Sequence, residues 1–290
     1  MSFCGNMEEF NMNEENELKC SYSYSTQQKA KELRIIDDAL FRLIAERKGV
    51  CQEILRTLLD DDELEVIDVK SQAEISSLER AVILDALCKL KDGTYCNIEM
   101  QKSDAEDDIK RVRFHASTIT ANKTPKSTAF RNIPNVKILY ITTYDALGNN
   151  QTITPLCRCQ KKGDNYEPVN DGEIIIFANT AVKDGTKHTE LLQLFLSKDS
   201  FDSKDYPNLS DAIHHFKDTK EGVDEMCESI EAYANEIADA RANARAIDTA
   251  IIACLDFNQS KDETLSYVKS KFPDASDSYI QERIAALFNK

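Results

Sequence analysis

The chain has 290 residues, enough for one large domain or two ordinary ones, and its 41% hydrophobic content can build a sizeable core. Its 36 Lys and Arg against 51 Asp and Glu give a net charge of −15, which argues against a histone-like or generally DNA-coating protein. No apolar run approaches the roughly 18 residues of a membrane span. The first ten residues lack the basic and apolar regions of a secretory signal. We therefore expect no membrane association.

The nine cysteines indicate a reduced protein. Their number is odd, several lie within apolar runs, and a chain of this length does not need disulfide bonds for stability. Cys157 and Cys159 are too close in sequence for a zinc knuckle, and no second pair completes one. We expect a structural role for all nine, in a cytoplasmic protein.

The chain divides into a polar N-terminal tail (1–27), a mixed central region (28–220) and a helical C-terminal region (221–290). Apolar residues at helical spacing predict one helix or two over 28–59, ended by Asp60-Asp61-Asp62. Later patterns predict strands at 64–69, 80–90, 94–101, 136–143 and 173–177, and helices at 105–121 and 188–196.

The C-terminal region has its own pattern. From Val223 to Cys254, apolar residues alternate at spacings of three and four, which predicts a long helix packing along another helix. A homodimer through this 223–254 helix and packing back onto its own domain are equally open. Ser260 and Glu263 predict a capping box for a further helix, and a last helix is expected at 276–288.

The most informative segment is the hairpin at 80–101. Gly93 suits the left-handed position of a three-residue loop between Leu90 and Thr94. Counting from that loop places Asp85 directly opposite Glu99, on one face, with Gln101 two residues further on. Two facing carboxylates in an apolar strand need a cation, and a divalent ion such as Mg²⁺ would supply it.

A salt bridge from Asp85 to Arg80 or to a helix lysine, with Glu99 facing solvent, is the alternative. A second observation favours the metal site: the segment between Asp108 and Asp145 has no acidic residue. It contains seven basic ones, Lys110, Arg111, Arg113, Lys123, Lys126, Arg131 and Lys137. A basic segment following the carboxylate hairpin predicts a phosphate-binding surface, although such runs are commonly solvated faces.

These features together resemble the PD-(D/E)XK nuclease superfamily, and most closely its transposase-associated branch of recombination-promoting, Rpn-like nucleases. The resemblance covers about residues 33–220. It rests on Asp38 to Phe41 in the first helix, Arg80, Ile83-Leu84-Asp85, Asp92-Gly93, Ile98 to Gln101, Arg111 to His115, and the strand 136–143 with Asp145 and Gly148.

The resemblance implies an α/β fold with a restriction-endonuclease-like core, a mixed four-stranded central sheet flanked by helices, in residues 28–220. The helical region 221–290 would be a C-terminal extension. It also implies that Asp85, Glu99 and Gln101 are the catalytic residues. Asp85 and Glu99 would be ligands of Mg²⁺, or of Mn²⁺ or Ca²⁺, and Asp38 matches an acidic position that adds to the metal site in some relatives.

Further implications concern the substrate. Lys110, Arg111 and Arg113 would bind DNA phosphates, and the activity would be metal-dependent hydrolysis of DNA phosphodiesters, linked to recombination or mobile elements. Gln101 replaces the lysine of the superfamily, so it can form hydrogen bonds but adds no positive charge. His115 is expected to be an ordinary helix-surface histidine.

Two other functions stay open at this point. A catalytically degenerate nuclease fold could act as a DNA-binding or assembly module through the 223–254 helix. A site-specific recombinase would need a base-reading element, and the helices after residue 260 are not basic enough to indicate one.

Overall fold

A mixed six-stranded sheet forms the centre of the molecule. The computed structural model describes residues 22–76, 81–102 and 108–288. The strands are β1 (Val66–Ser76), β2 (Ala81–Leu90), β3 (Tyr95–Gln101), β4 (Val136–Thr142), β5 (Ile153–Leu156), β6 (Cys159–Lys162), β7 (Asn165–Pro168) and β8 (Glu173–Asn179). The order in the sheet is β1-β2-β3-β4-β8-β5, and β6 and β7 form a separate hairpin. The pairs β3–β4 and β4–β8 are parallel and the other pairs are antiparallel.

Helices cover both faces of this sheet. They are α1 (Tyr24–Glu32), α2 (Asp38–Ile44), α3 (Lys48–Leu58), α4 (Asp108–Lys123), α5 (Lys187–Leu194), α6 (Pro207–Asp218), α7 (Lys220–Asp256), α8 (Lys261–Lys271) and α9 (Asp277–Phe288), with a 3₁₀ turn at Phe130–Asn132. Successive side chains of β4 point to opposite faces of the sheet, and each face has its own hydrophobic core. Ile138 and Tyr140 pack under α4, whereas Leu139 and Ile141 pack against the helices of the opposite face.

The long helix α7 is confirmed, and the chain itself covers both ends of its apolar seam. Met226 is buried in the main core. Ile247 and Ile251 are buried against α8 and α9 in a separate small core. Between them Ala240 is exposed. A homodimer through this helix remains a prediction.

The region 28–59 differs from the expected one or two helices, because it contains the end of α1 and the whole of α2 and α3. The chain leaves α1 at Leu33 in an extended conformation. The Arg34 N–H then donates to Asp37 Oδ2 (2.7 Å), which turns the chain into α2. The apolar spacing continues across these breaks because all three helices bury residues in the same core.

The expected polar tail (1–27) also ends earlier than predicted. Residues 24–27 belong to α1, whose first turn is capped by the Ser23 hydroxyl accepting from the Thr26 N–H (3.2 Å). Residues 1–21 of the predicted tail lie outside the described residues, as do Arg80 and residues 105–107 of the predicted hairpin and helix.

The strands β5, β6 and β7 were not predicted, because four residues each are too few for a clear alternating pattern. The twelve-residue helix α6 was not predicted either, and it begins without a side-chain cap. The predicted capping box of α8 is confirmed, since Ser260 and Glu263 exchange both hydrogen bonds. In the part of the chain that the structure describes, no helix is long and apolar enough to cross a membrane.

Candidate active site

The turn between β2 and β3 brings Asp85 and Glu99 to neighbouring positions. Gly93 has φ of 91°, and the Leu90 N–H donates to the Thr94 carbonyl (2.8 Å). The ladder then pairs residues in step as far as Ala86 with Ile98. The predicted register is therefore confirmed as far as Ala86 and Ile98. Asp85 and Glu99 are the next residues along it, and their direct opposition remains a prediction.

The backbone pairing of β2 with β3 ends before Asp85. There the Met100 N–H donates a hydrogen bond to the side-chain oxygen Oδ2 of Asp85 (2.9 Å). Asp85 also marks a change of face in β2. Ala86 packs into the core beside α2, whereas Leu84 packs into the core beneath α4, although two residues apart should share a face. The two carboxylates therefore differ from a plain same-face pair, because β2 changes faces at Asp85.

The surroundings of Asp85 disfavour its charged form. Burial raises its pKa well above the ordinary value, and the negative charge of Glu99 raises it further. The hydrogen bond from Met100 opposes this effect, Asp38 adds to it, and Arg42 reduces it. Asp85 is thus one of three neighbouring acidic groups, with one guanidinium nearby, which is an environment that favours a bound cation.

Glu99 is held by polar groups on the α4 face of β3. Only 7% of Glu99 is exposed, and Asn97 Nδ2 donates to its Oε1 (2.5 Å). His115 Nδ1 lies 3.3 Å from the same oxygen, although it makes no hydrogen bond there. The expectation of a helix-surface histidine is wrong for His115, whose side chain is 12% exposed because this side of α4 packs over β3.

Asp38, on α2, is the third acidic residue near Asp85, and it accepts a hydrogen bond from a residue of α7. The Tyr233 hydroxyl donates to Asp38 Oδ2 (2.7 Å). Burial and this bond raise the pKa of Tyr233 to about 12. Arg42 lies over the Tyr233 ring (4.9 Å to its centroid) and donates two hydrogen bonds to Glu236 (3.1 and 2.9 Å). The long helix therefore contributes side chains to the candidate site.

An open cleft of about 480 Å³ lies beside these residues. It is lined by Asp38, Ile230 and Tyr233 together with Asp37 and Lys102. Lys102 directly follows Gln101 and its Nζ lies 3.0 Å from Asp37 Oδ1. Solvent and a substrate can thus reach the side of the site formed by α2 and α7.

The basic residues of α4 fall on different sides of the helix. Arg111 precedes His115 by one turn and so shares the side that packs over Glu99. Arg113 and Lys110 are exposed and lie on another side, three residues apart. The start of α4 is fixed by Asp108, which accepts hydrogen bonds from the hydroxyls of Tyr140 (2.8 Å) and Tyr144 (2.7 Å).

Sequence reasoning missed several of these residues. Tyr233 and Asp38 are 195 positions apart, so no local pattern relates them. Asn97 alternates with Glu99 on β3, and Lys102 follows the strand, so only their proximity to the acidic hairpin could have indicated them. The side chain of Asp108 gave no signal beyond its position at the edge of the basic segment.

A mixed sheet with helices on both faces, carrying an acidic pair on two adjacent central strands, defines the chain as an α/β protein of the restriction-endonuclease-like class. The comparisons with known proteins agree. The model of the PD-(D/E)XK nuclease family transposases matches residues 38–250, and the chain belongs to that family. The match begins at Asp38 and ends within α7. No curated protein and no solved structure matches the chain. The family indicates a nuclease- or transposase-related function.

Proposed function

We propose that the protein is a divalent-metal-dependent DNA endonuclease whose metal ligands are Asp85 and Glu99. The observation that supports this proposal is the adjacent placement of two enclosed carboxylates on β2 and β3, with Asp38 close to Asp85 and lining an open cleft. Such an arrangement costs stability, because each charge disfavours the other, and it is retained where a function requires it.

The residues fit a magnesium ion. In the described ranges, no group of three or more His, Cys, Asp and Glu side chains is arranged to hold a metal. Mg²⁺ does not require one, because it commonly binds one or two carboxylates and completes its shell with water and substrate phosphates. Burial raises the pKa of Asp85 and the negative charge of Glu99 raises it further, and a bound cation would offset both effects. Mn²⁺ or Ca²⁺ could take the same ligands, with Asp38 close by.

When bound, the ion would polarise a phosphoryl oxygen and lower the pKa of a bound water. The side chains around it would position the reacting groups. Asn97 and His115 would fix the orientation of Glu99, and the Gln101 amide would orient a water or a phosphate oxygen by hydrogen bonding. Gln101 carries no charge, so phosphate attraction would come from Arg111.

Lys110 and Arg113 would bind phosphates further along the DNA. Phosphate contacts carry no base information, so the proposed enzyme would cut with little sequence preference. Membership of the Rpn-like branch and a link to recombination or mobile elements are part of the same proposal.

The test is a nicking assay on supercoiled plasmid with and without Mg²⁺ or Mn²⁺. Glu99→Ala and Asp85→Ala should remove metal-dependent nicking while circular dichroism stays that of the wild type. Asp68→Ala, at an exposed carboxylate on β1, is the matched control and should nick normally. An active Glu99→Ala variant would remove Glu99 from the mechanism.

The same assay, together with a thermal-shift measurement, distinguishes an active nuclease from a catalytically degenerate nuclease fold. Ligands that bind only the native state raise its melting temperature, so Mg²⁺ or Mn²⁺ should stabilise an active enzyme. No nicking and no thermal shift, together with a dimer lost on truncation after Gly222, would favour an assembly module.

A further inference from the structure

A second cleft lies on the α4 side of the molecule, away from the acidic pair. Its volume is about 890 Å³, within the range of about 300–1,000 Å³ that is common for ligand sites. The end of α4, the turn Phe130–Asn132 and the start of β4 form its walls, with Arg158, Asp171 and Glu173 opposite.

The most unusual residue of this cleft is Phe130. Its side chain is 91% exposed, so it contributes little to the core of the fold, and the exposed Arg131 follows it directly. An exposed aromatic ring beside a guanidinium is the pair that binds unpaired bases and their phosphates in single-stranded nucleic-acid sites.

The acidic residues of the cleft do not oppose an anionic ligand. The Arg158 guanidinium pairs with both Asp171 and Glu173, at 2.8 Å for Glu173 Oε1. Arg158 balances one of these two carboxylates and Arg131 the other, so the lining is neutral overall. Lys123 at the end of α4 and Lys126 in the following loop flank the lining residue Thr124 in the sequence. The cleft is therefore neutral to basic in a protein with a net charge of −15.

One side of α4 extends from this cleft toward the start of the helix, and it differs from the side that Arg111 shares with His115. Lys110, Arg113, Ser117, Ala121 and Thr124 follow one another at spacings of three and four, so they form a stripe along one side of the helix. Ser117, Ala121 and Thr124 line the cleft. Arg113, which does not share a side with Arg111, lies on this stripe.

The distance between the two sites suits a short piece of DNA. Val136 lines the cleft, and Tyr140 on the same strand is paired with Glu99. Four residues of strand span about 13 Å. This length corresponds to about four base pairs of duplex DNA at 3.4 Å each.

We propose that this cleft is a binding site for single-stranded DNA, in which Phe130 stacks on an unpaired base and Arg131 and Arg113 contact the phosphates. The inference deepens the proposed nuclease function and depends on DNA being the substrate. It names the substrate class: DNA with an unpaired stretch a few nucleotides from the cleaved bond.

The test measures DNA binding by the full chain in EDTA, so that no cleavage occurs. The probes are fluorescent oligothymidylate of about 12 nucleotides, an abasic strand of the same length and a blunt duplex. Phe130→Ala should weaken oligothymidylate binding about 5- to 100-fold, the factor expected for losing one base stack. It should change abasic-strand binding less than about twofold, because that strand offers no base to stack.

Two controls make the result specific. Phe257→Ala removes another exposed phenylalanine (80% exposed), after α7, and should bind every probe like the wild type. Arg131→Ala should weaken binding of both single strands, since it contacts phosphates. Unchanged oligothymidylate binding by Phe130→Ala, an equal loss on the abasic strand, or no binding of oligothymidylate by the wild type would overturn the proposal.

The two proposals fail separately. A wild-type protein that binds oligothymidylate through Phe130 but never nicks plasmid would refute the endonuclease and leave the binding site. A metal-dependent nuclease whose oligothymidylate binding is unchanged by Phe130→Ala would refute the binding site alone.

Discussion

Replacing Asp85 by asparagine should stabilise the metal-free protein, although it should also abolish nuclease activity. The substitution keeps an oxygen that can accept the Met100 hydrogen bond, and it removes a charge that burial and Glu99 disfavour. As a general scale, two unit charges about 4 Å apart interact by about 4 kcal/mol at an effective dielectric constant of about 20, and by less at larger separations. Arg42 offsets part of the repulsion by Glu99. We therefore expect a gain of about 1–2 kcal/mol at pH 8, or about 2–8 °C in Tm.

The gain should depend on pH in a defined direction. The pKa of Asp85 is higher in the folded than in the unfolded protein. Such a group favours the folded state below its unfolded-state pKa, and this contribution is lost as the pH rises through the raised folded-state pKa. The advantage of Asp85→Asn over the wild type should accordingly be smallest in acid and increase with pH until Asp85 is ionised in the folded protein.

The measurement is thermal and urea denaturation in EDTA from pH 5 to pH 9, repeated with Mg²⁺. The exposed Asp68→Asn variant is the control and should differ from the wild type by less than about 0.5 kcal/mol at every pH. Mg²⁺ should stabilise the wild type more than Asp85→Asn. A variant less stable than the wild type at pH 8 without metal would refute the idea that Asp85 is electrostatically strained.

Three further predictions concern other parts of the fold. Tyr140→Phe removes the bond to buried Asp108 and should cost about 1–3 kcal/mol in urea denaturation; a loss below about 0.5 kcal/mol would contradict a role in fixing α4. Ser260→Ala removes the N-cap of α8 and should cost about 1 kcal/mol, seen as faster hydrogen exchange in α8 with the main core unchanged. His214, paired with Asp218, has a raised pKa. An NMR titration should therefore give a pKa above 6.5, and the stabilising contribution of His214 should be lost as the pH rises through this raised folded-state pKa.

The sequence by itself determined the features that depend on local geometry. Gly93 and the short loop fixed the register of β2 with β3, because in an antiparallel hairpin every later pair follows from the turn. The position of Asp85 and Glu99, one step beyond the last paired residues, could therefore be counted from the sequence. The spacing of apolar residues likewise predicted α7, and Ser260 with Glu263 predicted the start of α8.

Tertiary packing decided what surrounds that pair. The bond from Tyr233 to Asp38 joins residues 195 positions apart, and only the folding of α7 across α2 brings them together. His115 contacts Glu99 because α4 packs over β3, whereas its own sequence neighbours indicated a surface position. Spacing along a chain records which residues share a turn or a face, because those distances are fixed by backbone geometry. Which helix lies against which strand depends instead on how the whole core fills its volume, and a single sequence does not display that directly.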